Sequence, residues 1–251
     1  MSRARSHSPL YRLNAWVVAG LSTLAERYCY RPGVTRRLVA VSGGVARELR
    51  ELFPSMAGSV GVVHNGVDSS VFAPDPRSRS LLRERWGVSE GELVVLFVGG
   101  DWERKGVRYA IEGVAGAPGW HLVVVGGGDE DRYRMLAEGA GASERVHFEG
   151  PADQTAPYYA CADAFLLPTE YEAFSLVTLE AAASGLPLLV PRVNGMDEIL
   201  VEGRNGWFID RDGDMIATRL EALRRDEELR VGMGQRARED SAGFTFASTK
   251  S

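Results

Sequence analysis

The fold is decided by residues 168–187, which read PTEYEAFSLVTLEAAASGLP. The apolar run 164–167 ahead of them has the composition of a buried strand, and Ser175 is a typical N-cap for a following helix. Gly185 and Pro187 end that helix. A strand, a loop and a helix N-terminus in this order predict a ligand site, because free backbone N–H groups and the positive end of the helix dipole meet there.

Two carboxylates, Glu172 and Glu180, lie in this stretch. Glu180 is the only charged residue between Ala173 and Pro191. Burial of a carboxylate among apolar residues is costly unless hydrogen bonds stabilise it. Because one glutamate precedes the helix N-terminus and the other lies about two turns inside the helix, the pair predicts a ligand that carries both phosphate and hydroxyl groups, such as a nucleotide sugar.

Around this stretch, short apolar strands alternate with single helices. The predicted strands are 93–98, 121–125, 146–149, 164–167, 188–190 and 207–209. The predicted helices are 81–86, 107–114, 131–137, 156–162, 215–225 and 227–238, together with the helix that Ser175 caps and that Gly185 and Pro187 end. Continuous Val- and Leu-rich strands joined by helices indicate a parallel sheet covered on both faces. The fold class is therefore α/β, with a Rossmann-like domain at residues 77–242.

The chain before this domain has a different character. Residues 9–29 have the apolar periodicity of an amphipathic helix, followed by a predicted strand at 38–41 and a helix at 45–53. A strand at 60–64 leads into a linker. We therefore predict four parts, listed as an N-terminal segment at 1–58, a strand and linker at 59–76, the Rossmann-like domain at 77–242 and a tail at 243–251.

Charge is distributed unevenly along the chain. Residues 1–50 contain nine arginines and two glutamates, a net charge of +7, so the remainder carries −12. The basic segment is compatible with a solvated arm or with an acidic partner such as a membrane surface. The apolar face of the predicted helix 9–29 is compatible with packing on another domain or with lying on a membrane.

Composition excludes several classes of protein. A hydrophobic content of 45% and a charged content of 25% are typical of globular proteins. Two cysteines cannot form a disulfide framework, and four scattered histidines do not form a metal-binding pattern. No signal peptide is recognisable, and the apolar run 15–24 is too short to span a bilayer. We therefore predict a cytoplasmic protein without a metal site or a nucleic-acid partner.

A second loop carries the cations that a phosphate requires. Residues 99–106 follow the predicted strand 93–98 and begin with Gly99 and Gly100, which allow close approach of a ligand. Arg104 and Lys105 can neutralise a diphosphate there, although two ordinary surface cations would give the same pattern. Lys105 is one of only two lysines among 29 basic residues, which favours the phosphate interpretation.

These stretches resemble a known family. The spacing EAFSLVTLE at 172–180 is similar to the E-x7-E motif of retaining glycosyltransferases with the GT-B fold, family 4. Other similar stretches, in the same order, are VAVS at 39–42, HNGVD at 64–68, FVGG at 97–100 with RKG at 104–106, VVVGGG at 123–128, VHFEG at 146–150 and PTEYE at 168–172. The resemblance covers roughly residues 36–240.

The resemblance implies a donor site for a UDP- or GDP-sugar. Arg104 and Lys105 would hold the diphosphate and assist its departure, and Glu172 would bind hydroxyls of the transferred hexose. These three are the implied catalytic residues, whereas Glu180 would bind the ribose. The other implied donor contacts are Gly99, Gly100, Gly150, Pro151, Ala173, Phe174, Ser175 and Leu176. The family needs no metal and no cofactor, and its members act in cell-envelope polysaccharide biosynthesis, among other pathways.

Two departures from the family pattern qualify this interpretation. Gly100 occupies the position of an arginine, so phosphate binding would rest on Arg104 and Lys105. The family has two Rossmann-like domains, whereas residues 1–58 resemble only the last elements of the acceptor domain. We therefore expect a donor-binding part that requires a separate acceptor domain or self-association. The alternatives are a non-catalytic nucleotide-sugar-binding module and a GT-B epimerase, and the E-x7-E spacing argues against the epimerase.

Overall fold

Two parallel sheets organise the protein in the computed structural model, which describes residues 9–244. A two-stranded sheet contains the first two strands of the chain, and a six-stranded sheet contains the others in the order β5-β4-β3-β6-β7-β8. Within the described residues, the strands are β1 (Leu38–Ala40), β2 (Val60–Val62), β3 (Leu93–Val98), β4 (Trp120–Val125), β5 (Val146–Gly150), β6 (Ala164–Leu166), β7 (Leu188–Val190) and β8 (Gly206–Phe208). Each predicted strand is confirmed to within two residues.

Helices connect the strands and cover both faces of the large sheet. Within residues 9–244 they are α1 (Pro9–Cys29), α2 (Gly43–Leu52), α3 (Pro76–Arg85), α4 (Trp102–Lys105), α5 (Val107–Ala115), α6 (Glu130–Gly139), α7 (Ala156–Cys161), α8 (Leu176–Ala183), α9 (Met196–Ile199), α10 (Gly213–Arg225) and α11 (Glu227–Ser241). α10 packs on α5, whereas α3 packs on α7 and α11 packs on α8. The predicted α/β fold with a helix-covered parallel sheet is therefore confirmed.

Local chemistry explains where the helices begin. The prediction that a helix starts at Leu81 is wrong, because Asp75 accepts a hydrogen bond from the Arg77 amide and Pro76 occupies the first helical position of α3. Ser175 caps α8 as predicted, and Ser42 caps α2. The one-turn helices α4 and α9 were not predicted, because a single turn is too short to show helical periodicity.

The core lies on both faces of the central strands. Every residue of β3 and β4 is buried, which accounts for their continuous apolar sequences. Trp120 is fully buried, and its indole Nε1 donates to the Leu220 carbonyl of α10 at 3.0 Å. This contact joins the sheet to its covering helix without leaving a polar atom unpaired.

The N-terminal segment forms a small unit of its own. β1 and β2 pair in parallel, with Leu38 opposite Val60, and enclose a minor core with Ala46 and Met56. The strand at the start of the predicted linker thus pairs with the preceding segment, whereas the division of the chain into domains stays a prediction. On α1, Leu21 and Leu24 are more than 60% exposed, so the apolar face is open at these two positions. Residues 1–8 and 245–251, with Arg3, Arg5 and most of the predicted tail, lie outside the described residues.

A pair of histidines, one buried and one partly buried, predicts acid-sensitive stability. His121 Nδ1 lies 3.0 Å from His147 Nε2, and the rings stack in parallel. Burial, together with the neighbouring His121, lowers the pKa of His147 from 6.5 to about 4. Because the unfolded chain then binds more protons than the native chain between these two values, the free energy of unfolding should fall as the pH drops from about 6.5 to about 4. Urea unfolding across this range measures the slope.

The matched variant is His147→Gln, which keeps a polar side chain without a titrating ring. We expect a shallower loss of stability on acidification in His147→Gln than in the unsubstituted protein. Equal slopes for the two proteins between pH 6.5 and 4 would contradict the assignment of acid sensitivity to His147.

Candidate functional site

The strand order reverses between β3 and β6, and we call the space outside the carboxyl ends of these two strands the crevice. β3 pairs with β4 on one side and with β6 on the other. From β3 the chain adds β4 and β5 on one side of the sheet, then returns to add β6, β7 and β8 on the other side. The loops that follow β3 and β6 therefore leave two adjacent strands in opposite directions. Ligands of open α/β sheets bind at such a switch point. The two loops, 99–106 and 167–175, are those that the sequence singled out.

The structure brings Arg104, Lys105 and Glu172 together across this crevice. Lys105 Nζ lies 3.1 Å from Glu172 Oε1, and both side chains are 14% exposed. Arg104 Nη1 lies 3.8 Å from the same oxygen and donates to the Tyr171 carbonyl at 2.6 Å. The Arg104 Nε also donates to Asp101 at 2.9 Å. Two cations and a carboxylate from distant parts of the sequence therefore form one charged cluster.

Two glycines allow the loops to meet. Gly106 has a φ of 80°, and a Cβ there would overlap the carbonyl oxygen of Pro168. Gly99 has a φ of 153°, and a Cβ there would overlap the aliphatic chain of Lys105. The Glu170 amide donates to the Arg104 carbonyl at 3.0 Å and ties the loops together. Gly99 thus leaves room for the side chain of Lys105, and Gly106 allows the loop 167–175 to approach the loop 99–106.

The loops that follow β4 and β5 lie at the same carboxyl edge of the sheet, next to the loop that follows β3. The Gly126 amide donates to the Gly150 carbonyl at 2.8 Å, and a Cβ on Gly126 would overlap the backbone of Gly99. Pro151 lies beside Gly127, where a Cβ would be 3.6 Å from the proline ring. A Cβ on Gly100 would lie 3.6 Å from the Gly127 carbonyl. The predicted site residues Gly99, Gly100, Gly150 and Pro151 thus lie on adjoining loops.

Backbone amides at the start of α8 have no hydrogen-bond acceptor among the described residues. Ser175 is buried, and its Oγ accepts from the Thr178 amide at 3.4 Å. Within residues 9–244, the amides of Phe174, Ser175 and Leu176 have no hydrogen-bond acceptor. The Ala173 carbonyl between Glu172 and these amides accepts from Ser42 Oγ. Free amides at a helix N-terminus form an anion-binding arrangement.

Glu180 lies in a different environment from Glu172. Its Oε2 accepts a hydrogen bond from the Tyr159 hydroxyl at 2.8 Å. Burial raises the pKa of Glu180, while that hydrogen bond lowers it. Glu180 also lines a cavity of about 330 Å³ with Leu176 and with the segment 65–72. The predicted hydrogen-bond partner of this carboxylate is therefore present, and it is a tyrosine on α7.

Several contacts of the site could not be predicted from the sequence. Thr169 Oγ1 donates to the Tyr171 carbonyl at 3.1 Å and lies 3.4 Å from Glu172 Oε1. Glu198 on α9 accepts from the Gly43 amide at 2.8 Å and lies 2.5 Å from His64 Nε2. Motif spacing gives no signal for either contact, because each joins segments that only tertiary folding brings together.

The arrangement supplies complementary groups along one edge. Cations and unpaired amides can stabilise a phosphate, and carboxylates can accept hydrogen bonds from hydroxyls. Within residues 9–244, no cluster of three His, Cys, Asp or Glu side chains is suited to a metal ion, and metal independence stays a prediction. No helix in the same range is both long enough and apolar enough to cross a membrane.

Sequence comparison identifies relatives of this chain. A family model described as Glycosyl transferases group 1 matches residues 78–240. The lipopolysaccharide core biosynthesis glycosyltransferase LpsE of Rhizobium meliloti (strain 1021) is 31% identical over 219 residues, covering 86% of this chain and 58% of LpsE. A D-inositol 3-phosphate glycosyltransferase of Corynebacterium glutamicum (strain R) is 32% identical over 209 residues, covering 76% of this chain and 49% of that protein. The chain spans about half the length of these curated relatives.

Structural comparison agrees with the family match. WaaG, a glycosyltransferase involved in lipopolysaccharide biosynthesis, superimposes with a TM-score of 0.81 at 24% identity, covering 98% of this chain and 70% of WaaG. Anabaena HepE in complex with UDP-glucose superimposes with a TM-score of 0.83 at 20% identity, covering 91% of this chain and 65% of HepE. At these identities the superpositions show the fold. The chain therefore belongs to the group 1 glycosyl transferases, and residues 78–240 form the C-terminal domain of a GT-B fold.

Proposed function

We propose that the crevice binds a UDP- or GDP-sugar and that the chain supplies the donor half of a retaining, family 4 type glycosyltransferase. The observation that carries this proposal is the cluster of Arg104, Lys105 and Glu172 beside the unpaired amides at the start of α8. A sugar diphosphate has negative charge next to hydroxyl groups, and this edge offers cations next to a carboxylate. The relatives' names support the same class of reaction.

In the proposed reaction, the bond between the anomeric carbon and the β-phosphate oxygen breaks. An acceptor hydroxyl forms the new glycosidic bond, and its proton passes to an oxygen of the departing diphosphate. Negative charge develops on the departing diphosphate. Arg104, Lys105 and the amides of Phe174 to Leu176 would stabilise that charge more strongly in the transition state than in the bound donor. This arrangement would do the work of a metal ion, so we propose a metal-independent enzyme without a cofactor.

The carboxylates would orient the donor. Glu172 would accept hydrogen bonds from hydroxyls of the transferred hexose. When the donor binds, Lys105 would leave its ion pair with Glu172 and pair with the diphosphate instead. Glu180 would accept from the ribose, with Tyr159 holding the carboxylate in place. Gly150 and Pro151 would lie near the base. We propose UDP-glucose as the first donor to test, because Anabaena HepE has been crystallised with UDP-glucose.

The acceptor and the cellular setting are also proposals. LpsE and WaaG are described as lipopolysaccharide biosynthesis proteins, which supports a glycan or lipid acceptor in cell-envelope biosynthesis. An acceptor domain would be supplied separately or by self-association. The open apolar face of α1, with Arg27 and Arg31 nearby, supports peripheral contact at the inner face of the membrane by a cytoplasmic protein.

A thermal-shift titration tests the donor site. UDP-glucose and GDP-mannose should be compared, and the cognate donor at about 100 times its Kd should stabilise the native state by roughly 2.7 kcal/mol, a rise of several degrees in Tm. Glu180→Ala should remove most of that rise, because the ribose loses its hydrogen-bond acceptor. Arg108→Ala, which removes an exposed cation of α5 that pairs with Glu112, is the matched control and should keep the rise.

The absence of a shift with every common nucleotide-diphosphate sugar would contradict the donor site. Activity separates the enzyme from the alternative, a nucleotide-sugar-binding module. Donor hydrolysis and transfer should be measured with this chain alone and with a supplied acceptor domain. Binding without turnover in both cases would favour the binding module, whereas turnover by this chain alone would refute the expectation that it needs an acceptor domain.

A further inference from the structure

Ser42 connects the N-terminal segment to the centre of the proposed donor site. Its Oγ donates to the Ala173 carbonyl at 2.7 Å across a sequence separation of 131 residues, and the same Oγ accepts from the Val45 amide at 3.1 Å. Ser42 is fully buried. Because the hydroxyl accepts one hydrogen bond and donates another, its orientation is determined on both sides.

The geometry of the peptide unit gives this contact a consequence for ligand binding. In a planar trans peptide the C=O and N–H groups point in opposite directions, and the structure has no cis peptide bond among residues 9–244. The carbonyl of Ala173 and the amide of Phe174 belong to the same unit. With the carbonyl directed at Ser42, the Phe174 amide is directed away from the N-terminal segment, and within residues 9–244 it has no acceptor.

Hydrogen bonds join α2 to residues Asn194 and Glu198 of the Rossmann-like domain. Glu198 accepts from the Gly43 amide at 2.8 Å, next to Ser42 in sequence. Glu48 accepts from the Asn194 side chain at 2.5 Å. A Cβ on Gly44 would overlap the Asn194 side chain, so the small residue permits this approach. The sequence Ser-Gly-Gly at 42–44 thus combines a hydroxyl donor at Ser42 with a glycine at position 44 that allows close contact.

We propose that Ser42 is a positioning residue of the donor site, which orients the Ala173–Phe174 peptide so that the Phe174 amide can donate to the distal phosphate and the sugar. This inference rests on the proposed function. Phe174 follows Glu172 by two positions, and Glu172 pairs with Lys105, so the oriented amide would lie near the sugar of the proposed donor. Ser42 does not touch the ligand; it acts through Ala173.

Calorimetric titration of the full chain with UDP-glucose, UDP and UMP tests the proposal. Ser42→Ala should weaken binding of UDP-glucose and UDP about tenfold, the effect of one impaired charge-assisted hydrogen bond. UMP lacks the distal phosphate, so its affinity should be unchanged. Ser42→Thr keeps a hydroxyl and should restore the affinity for UDP. Hydrogen exchange of residues 171–177 without ligand should increase in Ser42→Ala and return to normal in Ser42→Thr.

Ser42→Ala also removes the N-cap of α2, so further variants must separate that effect from the loss of the hydrogen bond to Ala173. Ser42→Gly removes the hydroxyl but keeps a residue that is tolerated at N-caps, so it serves if Ser42→Ala does not fold. Asp226→Ala removes the equivalent cap of α11, where Asp226 accepts from the Leu229 amide, and should leave UDP affinity unchanged.

The outcomes are distinguishable. If the unsubstituted chain binds UDP but Ser42→Ala and Ser42→Gly bind it equally well, the positioning role is refuted while the proposed function stands. An equal loss for UDP and UMP also refutes it, because the effect is then not confined to the distal phosphate. If the unsubstituted chain binds no nucleotide, the proposed function is refuted and the role of Ser42 falls with it.

Discussion

Lys105→Ala is expected to lower the affinity for UDP-glucose on the order of 100-fold, the largest effect expected from removing one functional side chain at the proposed site. Lys105 would contribute a charge-assisted hydrogen bond to the diphosphate, and such bonds contribute about 1.5–3 kcal/mol. Within residues 9–244, its removal also leaves Glu172 with Arg104, at 3.8 Å, as its remaining cationic partner. The carboxylate would then repel the incoming diphosphate. Calorimetric titration with UDP and UDP-glucose measures the loss.

A double-mutant cycle separates these two effects. Glu172→Gln removes the negative charge, so the variant that combines Lys105→Ala with Glu172→Gln should bind UDP more tightly than Lys105→Ala alone. UDP-glucose should not recover to the same extent, because Glu172 would also contact the sugar. Additive losses for UDP would show that the 3.1 Å ion pair does not couple the two residues in binding. Unchanged affinity in Lys105→Ala would refute the role of the lysine.

Gly106→Ala is expected to produce the largest loss of stability, about 3 kcal/mol, together with loss of donor binding. Gly106 has a φ of 80°, where an L side chain costs about 1–2 kcal/mol. The added Cβ would also overlap the Pro168 carbonyl, which cannot move without displacing the loop that carries Glu172. Urea unfolding measures the stability, and titration with UDP measures the binding.

Gly141→Ala is the matched control for this substitution. Gly141 has a φ of 69°, but a Cβ there would meet no atom within 4 Å. The control therefore carries the conformational cost, about 1 kcal/mol, without the overlap. It should bind UDP normally. Equal losses of stability in Gly106→Ala and Gly141→Ala would show that the contact between the two loops contributes nothing beyond backbone conformation.

The sequence alone predicted the strands and the loops that carry the candidate site. The apolar runs of β3 and β7 predicted strands whose bounds match the structure, because their residues are buried on both faces and leave an unbroken apolar pattern. Ser175 predicted the start of α8, because a serine that accepts from a backbone amide is a local device. Arg104, Lys105 and Glu172 could be chosen because their loops follow predicted strands.

Other features depended on the tertiary structure. The pairing of β3 with β6 brings Lys105 to Glu172, and the sequence contains no signal that ranks this pairing above others. The partner of Glu180 is Tyr159, one of eight tyrosines, and only the packing of α7 beside α8 selects it. The contact of Ser42 with Ala173 likewise joins two segments that are distant in the chain.

The difference between the features that the sequence predicted and those that only the tertiary structure decided has a physical origin. Strand composition, caps and glycine-rich turns reflect interactions within a few residues, so the sequence by itself determined the α/β class and the loops that carry the charged residues. Distances between those loops depend on strand order, on the space beside Gly106 and on the docking of the N-terminal segment. Tertiary structure alone decided that Lys105 and Glu172 form an ion pair and that Ser42 holds the peptide from which the Phe174 amide projects.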